Sequence, residues 1–556
     1  MRVIPHTSGR PFGRTLQKDT FDMLHRHVRF AVVAMAGLSL CVSRLAFAQW
    51  PSNAASNLRL TDRTGEQTQS KIRATSDGGC YVSWYDNSSG GYDVYLQRLD
   101  RDGNILWPHN GVLIADRSFS STQDYGLAVD PEDNAIITYR DDRATGVQIG
   151  VNKVLPSGAL AWGANGVLVT NTTASVANPK VTATTDGHYI VGWSQDASIG
   201  MQRLDADGTP QWTAGGMILT PAAGSYIMSE LQPSVDGSFI ALWVRPTGNF
   251  LSPKHLYSQR FDADGVALWN SGDPVIIFDA NSVQFGYFPS FVTDESGGAV
   301  YGWYETGGDR NCYAQHVLVD GTVLYAHNGV AGSIQAGRLG LSPDVSYDAA
   351  NDDIYLFWTE TNTNQNAWGL YGQRFASGVR QWSDNGLEVS ALDGLQESFV
   401  QSLVAGGIPM AFTFDGSASD LIIGYGFDAT GAMIWTGGST TVSSTASDKL
   451  RLDSVSNTCG DALLTWGDAR FDTRDIFAQN VNPDGTLGAG LPVVADMNCD
   501  GDVTLADVTP FVLALLDADA YAAQFPCCDI GAADVNADTE IDGLDIHAFT
   551  QAILGN

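Results

Sequence analysis

The sequence predicts a mainly β chain, an eight-bladed β-propeller of four-stranded blades, followed by a small all-α tail. Three observations carry this. A strand motif centred on an aromatic residue recurs eight times at intervals of about 55 residues. A second motif, a glycine turn followed by an aromatic, keeps the same phase. Charged residues make up only 17% of the chain and glycines number 60, a balance that suits short strands and tight turns better than long helices.

The strand motif reads YVSWYD at 81–86, YIVGWSQD at 189–196, IYLFWTE at 354–360 and ALLTWGD at 462–468. Its anchors are Trp84, Tyr139, Trp193, Trp243, Trp303, Trp358, Phe412 and Trp466. The second motif has glycines at Gly103, Gly158, Gly208, Gly265, Gly321, Gly378, Gly431 and Gly485. Its aromatics are Trp107, Trp162, Trp212, Trp269, Tyr325, Trp382 and Trp435, and Ala489 alone breaks the series.

In the first unit the strands are expected at 70–76, 80–86, 93–99 and 104–115, the last broken near Pro108. The Asp77-Gly78-Gly79 and Asp102-Gly103 clusters are hairpin turns, with glycine at the positive-φ position. Such a small sheet cannot bury both faces alone, so neighbouring units stack and the ring closes. Seven blades is the runner-up, if one terminal unit is only a cap. The stretch Leu58-Arg59-Leu60-Thr61 resembles GVLVT at 166–170 and is expected to complete the last blade. Closure would bring Cys80 near Cys459, either as a bridge or as two separate thiols.

The net charge is −32 and the pI about 4.3, which excludes a nucleic-acid partner because phosphate binding needs a basic footprint. An apolar run at 30–42 follows a basic stretch and precedes Ala46-Phe47-Ala48, the pattern of a cleaved export signal. Residues 1–48 therefore read as signal peptide and leader, and 49–494 as the propeller. No later segment approaches transmembrane length, so no membrane span is expected. The expected address is secreted, extracellular or at the cell surface, with the periplasm as the alternative.

Two recurrent polar patterns read as structural. Gln97, Gln202, Gln259, Gln315, Gln373 and Gln479 share one register, with Arg98, Arg203, Arg260 and Arg374 after four of them. The acid two residues past the anchor, as in Asp86, Asp141, Glu305, Glu360 and Asp468, reads as a turn former. The loops beyond the anchors vary in length, and in a propeller they emerge on one face with the connections between blades. That face is the default binding surface. Its candidate ligand contacts are Arg143, Arg245, Asp309, Arg310, Trp368, Arg470 and Arg474.

From 495 the composition changes. Residues 496–556 hold eleven Asp, one Glu and no Lys or Arg. Two twelve-residue segments match, beginning at Asp496 and Asp534. Oxygen-bearing side chains at positions 1, 3, 5, 9 and 12 are the spacing by which such a loop wraps Ca²⁺. The ligands would be Asp496, Asn498, Asp500, Thr504 and Asp507, then Asp534, Asn536, Asp538, Asp542 and Asp545. Asp502 and Glu540 would give their position-7 carbonyls. Thr539 stands where the second loop wants glycine, so the second of the two calcium sites is the weaker. A helix is expected after each loop, over 505–516 and 544–554, with Phe511 and Phe549 equivalent. Pro510 would restart the first of them with Thr509 as cap.

The duplicated loop-helix segment, with Asn498-Cys499-Asp500-Gly501 and Pro526-Cys527-Cys528-Asp529, resembles a type I dockerin of the Cys-containing kind. The resemblance covers 495–556. It implies a small EF-hand-like domain, two bound Ca²⁺, a Cys499–Cys528 bridge and a cohesin-like or cell-surface protein as partner.

The functional expectation is a non-catalytic binding or scaffold propeller, with a protein or glycan ligand, tethered through this tail. The alternative is a polysaccharide-degrading hydrolase or lyase of propeller fold. The sequence contains no G-x-S-x-G, H-E-x-x-H or Walker loop, and no catalytic residue is assigned.

Overall fold

The structure is a computed structural model that describes residues 49–119, 124–249, 251–307, 310–417, 419–490, 493–499 and 501–555. The predicted leader, Asp309 and Asp500 lie outside the described residues. Eight antiparallel sheets follow one another along the chain. Blades 1 to 7 span 67–115, 126–168, 176–219, 227–278, 291–331, 338–388 and 396–447. Blade 8 is built from 449–481 and the strand Leu58–Arg59. The first strand of each blade packs against its counterparts in the adjacent blades, which sets it innermost.

Closure is by the N-terminal segment. Leu58 pairs with Ala478 and Arg59 with Phe477, so the chain's first strand is the outer strand of its last blade. The ring therefore has eight blades. In blade 1 the second and third strands, Cys80–Asp86 and Asp93–Leu99, stand where the alternation places them. The fourth is shorter than expected, Val112–Ala115, because 104–111 leaves the ladder after a single bridge at Ile105.

The anchors face the preceding blade. Trp84 packs with Leu463 and Ile476 of blade 8, Tyr139 with Tyr81 and Tyr85 of blade 1, and Trp303 with Ile240 and Leu242 of blade 4. Blade 7 corrects the sequence register. Phe412 packs forward, with Leu464 and Trp466 of blade 8. Gln401 opposes Phe412, as Asp344 opposes Phe357 and Asp453 opposes Thr465. The counterpart of Trp358 and Trp466 is thus Thr413. Strand side chains alternate between faces, so a one-residue slip moves an anchor to the wrong side.

The second motif joins blade to blade. The indole N–H of Trp107, Trp162, Trp212, Trp269, Trp382 and Trp435 donates to a carbonyl in the glycine turn of the next blade, at 2.9–3.2 Å. At the seam, where Ala489 cannot do this, Trp50 does. Its indole donates to the Arg101 carbonyl at 2.8 Å, and it is 4% exposed. Each turn glycine lies under the ring. At Gly103, φ is +82°, and a Cβ there would meet the Trp50 ring at 2.7 Å.

Bulges interrupt most inner strands at one level, and the residue after the bulge is polar: Lys71, Lys180, Glu230, Asp344, Gln401 and Asp453. Asp344 accepts from the Ser402 N–H of blade 7 at 2.8 Å, and Asp453 from the Ile72 N–H of blade 1 at 2.9 Å. Burial pushes the Asp344 carboxyl up to about 7, against the lowering effect of the backbone N–H donors. A carboxyl raised on folding contributes stability at low pH that is lost as pH rises through that value. Asp344→Asn is therefore expected to be more stable than the native chain at pH 8, by about 2 kcal/mol, and to lose most of this gain at pH 5. Thermal melts at the two pH values check this, and a gain independent of pH would contradict it.

Among the described residues the tail carries three α-helices, α1 (Val508–Leu516), α2 (Ala518–Gln524) and α3 (Asp545–Leu554). Phe511 and Phe549 stack with centroids 3.8 Å apart. Pro510 restarts nothing. It sits in the first turn of α1, where its missing N–H has no helical acceptor to lose. Cys499 is bonded to Cys528, and Cys459 to Cys527. The Cys80–Cys459 bridge does not form. Cys80 is buried in the seam core with Val82 and Leu463, whereas Cys459 lies in a turn beside the tail. Arg101 adds a hydrogen bond to the Pro526 carbonyl at 2.7 Å. The tail thus touches both sides of the ring seam, blade 8 through Cys459 and blade 1 through Arg101.

Candidate functional site

The loops between second and third strands and the connections between blades emerge together, because the four strands of each blade alternate in direction. The basic residues expected to form a ligand surface are on this face, but most of them hold its loops. Arg143 donates to Asp141, to the Asn165 side chain at 2.9 Å and to the Asn165 carbonyl at 3.0 Å. The Arg470 side chain is enclosed, bonded to Asp468 at 2.6 Å and to Asn57 and Ser443. Arg474 bridges Glu66 and Asp448. Arg245 donates to the Tyr257 hydroxyl at 3.0 Å. Arg310 offers its carbonyl to the Gly340 N–H at 2.7 Å, and Trp368 pairs through its backbone with Asp393. These residues do not converge on one site.

The acids two residues past the anchors explain the pattern. The Asp86 carboxylate accepts from the Ser88 N–H, that of Asp141 from the Arg143 N–H and that of Asp468 from the Arg470 N–H, at 2.9–3.0 Å. They form the turns and then neutralise a basic side chain. Burial raises Asp468, but Arg470 and Lys449 beside it hold its carboxyl below the usual range. The glutamine series is structural too. Gln97 donates to the Pro108 carbonyl and accepts from the Trp107 N–H, and Gln202, Gln259, Gln315 and Gln373 repeat this.

The loop face also exposes apolar side chains. The connection between blades 4 and 5 is the longest, and it exposes Phe285 (58%) and Phe288 (37%). Tyr287 between them is turned inward and packs against Tyr304 with the rings tilted and their centroids 4.5 Å apart, which fixes the segment. Lys254 lies over the Phe285 ring at 5.7 Å. Leu251, in the neighbouring loop of blade 4, is 86% exposed. Sequence reasoning passed over these residues because they lie outside the repeat; the one signal was the length and aromatic content of FGYFP. The axis of the ring holds a second polar set. Burial raises Asp124, but Lys180 and Lys71 outweigh it and hold the carboxyl well down. A cavity of about 200 Å³ there is lined by Arg73, Glu230 and Gln232 among inner-strand residues of blades 1 to 4.

In the tail both acidic loops take one conformation. Asp496 accepts from the Gly501 N–H and Asp534 from the Thr539 N–H, both at 2.9 Å, linking positions 1 and 6. Asp507 accepts from the N–H groups of Met497, Asn498 and Thr504, and Asp545 from those of Asn536 and Asp542. Asp507 and Asp545 are fully buried, and the segment holds no Lys or Arg. Cys499 and Ala537 at position 4, and Gly501 and Thr539 at position 6, all have positive φ. This wrapping and its hard oxygen donors fit an oxygen-liganded divalent cation. Asn498, Asp502, Thr504, Asp538, Glu540 and Asp542 lie along the same two loops, and Asn536 donates to Asp538 at 3.0 Å. Among the described residues, no three His, Cys, Asp or Glu side chains are close enough to hold a metal, and Asp500 is outside that set.

No family model and no curated protein matches this chain. Solved structures similar to it include the polysaccharide lyase Uly1, at 10% identity over 77% of this chain and 92% of that one, with a TM-score of 0.38. An endo-arabinase from Bacteroides thetaiotaomicron VPI-5482 is 11% identical over 80% and 98%, with a TM-score of 0.29. One of two prolyl endopeptidases is 12% identical over 66% of this chain, which spans 48% of that one, with a TM-score of 0.40. At these scores the likenesses carry no argument about a site or an activity. Among the described residues no helix is long and apolar enough to cross a membrane.

Proposed function

We propose that this chain is an exported, non-catalytic propeller that binds a glycan or a protein through its loop face and is tethered by a calcium-binding, dockerin-like tail. The observation that supports the binding reading is the aromatic ledge of blades 4 and 5. Two exposed rings on a connection pinned by Tyr287 offer flat apolar surface at low ordering cost. Arg143, Arg245, Arg470 and Arg474 of the same face are engaged within the fold. A glycan array read with the native chain and with a Phe285→Ala, Phe288→Ala variant tests this. Binding is expected in the first and at least a tenfold loss in the second. Turnover of a polysaccharide would favour the hydrolase or lyase alternative instead.

For the tail, the reading rests on the duplicated wrapping of Asp496 to Asp507 and Asp534 to Asp545 around buried carboxylates. Bound calcium would supply the positive charge that this segment lacks. The chain's part is to hold its carboxylates inward by backbone N–H groups. Calorimetric titration of the intact chain with calcium is expected to show two sites, the second weaker because Thr539 carries a β-branched side chain at φ +74°. No heat of binding would overturn the calcium reading, and with it the dockerin-like tether and its cohesin-like partner.

A further inference from the structure

Blade 7 departs from the other blades at one place, two residues past the anchor on its second strand. Blade 1 has Asp86 there, with Arg63 at 3.7 Å. Blade 2 has Asp141 with Arg143, and blade 8 has Asp468 with Arg470. Glu305 of blade 5 accepts from Asn281 and from the Tyr313 hydroxyl, and Glu360 of blade 6 from the Trp358 indole at 2.7 Å. Gln195 of blade 3 accepts from the Trp193 indole, and Arg245 of blade 4 donates to Tyr257. With Thr413 as the blade 7 anchor, the residue at this place is Asp415. It has no side-chain hydrogen bond or ion pair among the described residues. The anchor carries no indole to offer, and the arginine of blades 2 and 8, two residues past the acid, is replaced by the exposed Ser417.

A second observation points into the same cleft. Glu397 is the cross-strand partner of Asp415 and so projects from the same face of the sheet, toward blade 6. It is 4% exposed. One carboxyl oxygen accepts from Ser390 at 2.6 Å, and the other is buried with no hydrogen bond. Asp393, on the connection from blade 6, and Asp420, on the third strand of blade 7, add negative charge beside Asp415. Burial pushes the Glu397 carboxyl up to about 7, and burial followed by Asp393 and Asp420 raises Asp415. This is the state of carboxyls lacking a counter-charge.

The geometry points to a binding site in the cleft between blades 6 and 7, where Asp415, backed by Glu397, takes an arginine side chain from a protein partner. The molecule itself shows the matching chemistry, since three of its blades answer the equivalent acid with a guanidinium. A planar fork of N–H donors suits a carboxylate flanked by further acceptors. The net charge of −32 steers a basic segment toward the chain. This site is separate from the aromatic ledge of blades 4 and 5, so either can fail while the other stands.

The test uses N-acetyl-arginine amide as probe, with N-acetyl-citrulline amide as its neutral isostere, on the full chain at 0.15 M salt. Saturable binding of the arginine probe is expected, with none for citrulline. Asp415→Asn should weaken it at least tenfold. Asp264→Asn, in an exposed turn of blade 4, should leave it unchanged. Ser417→Arg restores the internal partner found in blades 2 and 8. It should abolish probe binding and raise the melting temperature, and it places an exposed residue, so the fold is kept. Equal binding by the native chain and by Ser417→Arg would overturn the proposal. So would equal loss in Asp415→Asn and Asp264→Asn, which would mean unspecific attraction to an acidic surface. Asp415-dependent binding of a glucosamine oligomer without binding of the arginine probe would also overturn it, in favour of an amino glycan.

Discussion

Replacing Trp50 with alanine is expected to cost about 3–5 kcal/mol, among the largest losses from a single substitution in this chain. Trp50 is buried at the seam, stacked over Gly103. Its indole N–H donates to Arg101 and its backbone N–H to the Asp102 carbonyl. Every other indole of this kind belongs to the blade that precedes the turn it reaches. Trp50 comes from ahead of blade 1 and stands in for Ala489, so its loss removes packing and also loosens ring closure. Guanidinium denaturation of Trp50→Ala beside Trp107→Ala separates the two effects. Both should lose stability, but only Trp50→Ala should show early proteolysis at 51–61, beside the closing strand. A loss below about 1 kcal/mol would show that the pair Leu58–Arg59 suffices for closure.

The second large effect concerns Cys459→Ser. The Cys459–Cys527 bond closes a segment with a sequence separation of 68 residues, and removing such a crosslink costs about 2–4 kcal/mol. A tail folded as a separate module would melt on chelation and spare the propeller. The structure revises this, because the tail is bonded to blade 8 and hydrogen-bonded to blade 1. In the native chain the seam should therefore feel chelation, with the propeller transition moving down together with the tail. In Cys459→Ser the two should separate, and chelation should then shift the tail alone. Calorimetric scans of both chains, with and without chelator, give the comparison. A propeller transition equally insensitive to chelation in both would mean that the tail contributes nothing to the seam.

Much of the blade was legible because its signals are local. Alternation of apolar residues in a strand, glycine at a positive-φ turn and aromatics at a fixed offset are each decided within a few residues, and eight repetitions separate them from chance. At Asp86, Asp141 and Asp468 the acid two residues past the anchor was legible as a turn former for the same reason, whereas Glu305 and Glu360 accept from side chains instead. The candidate arginines lie on the loop face, as their positions in the repeat imply, yet their engagement was not legible. Arg143 reaches an acid two residues away, but Arg470 also reaches Asn57, which lies far off in sequence. Blade 7 shows the limit of pattern reading most plainly. Phe412 satisfied the spacing and the aromatic rule, while the pairing of Gln401 with Phe412 put the anchor at Thr413 and left Asp415 without the partner its counterparts have.

From the sequence by itself follow the repeated four-stranded unit, the eightfold count, the strand that completes the last blade and the duplicated acidic loops of the tail. Tertiary structure alone decided that Trp50 substitutes for Ala489, that Cys459 bonds to Cys527 and not to Cys80, and that Glu397 and Asp415 share a cleft. The physical reason is range. Backbone conformation and side-chain alternation are set by near neighbours, whereas these contacts join segments that meet only once the ring has closed and each side chain has been assigned to one face of its sheet.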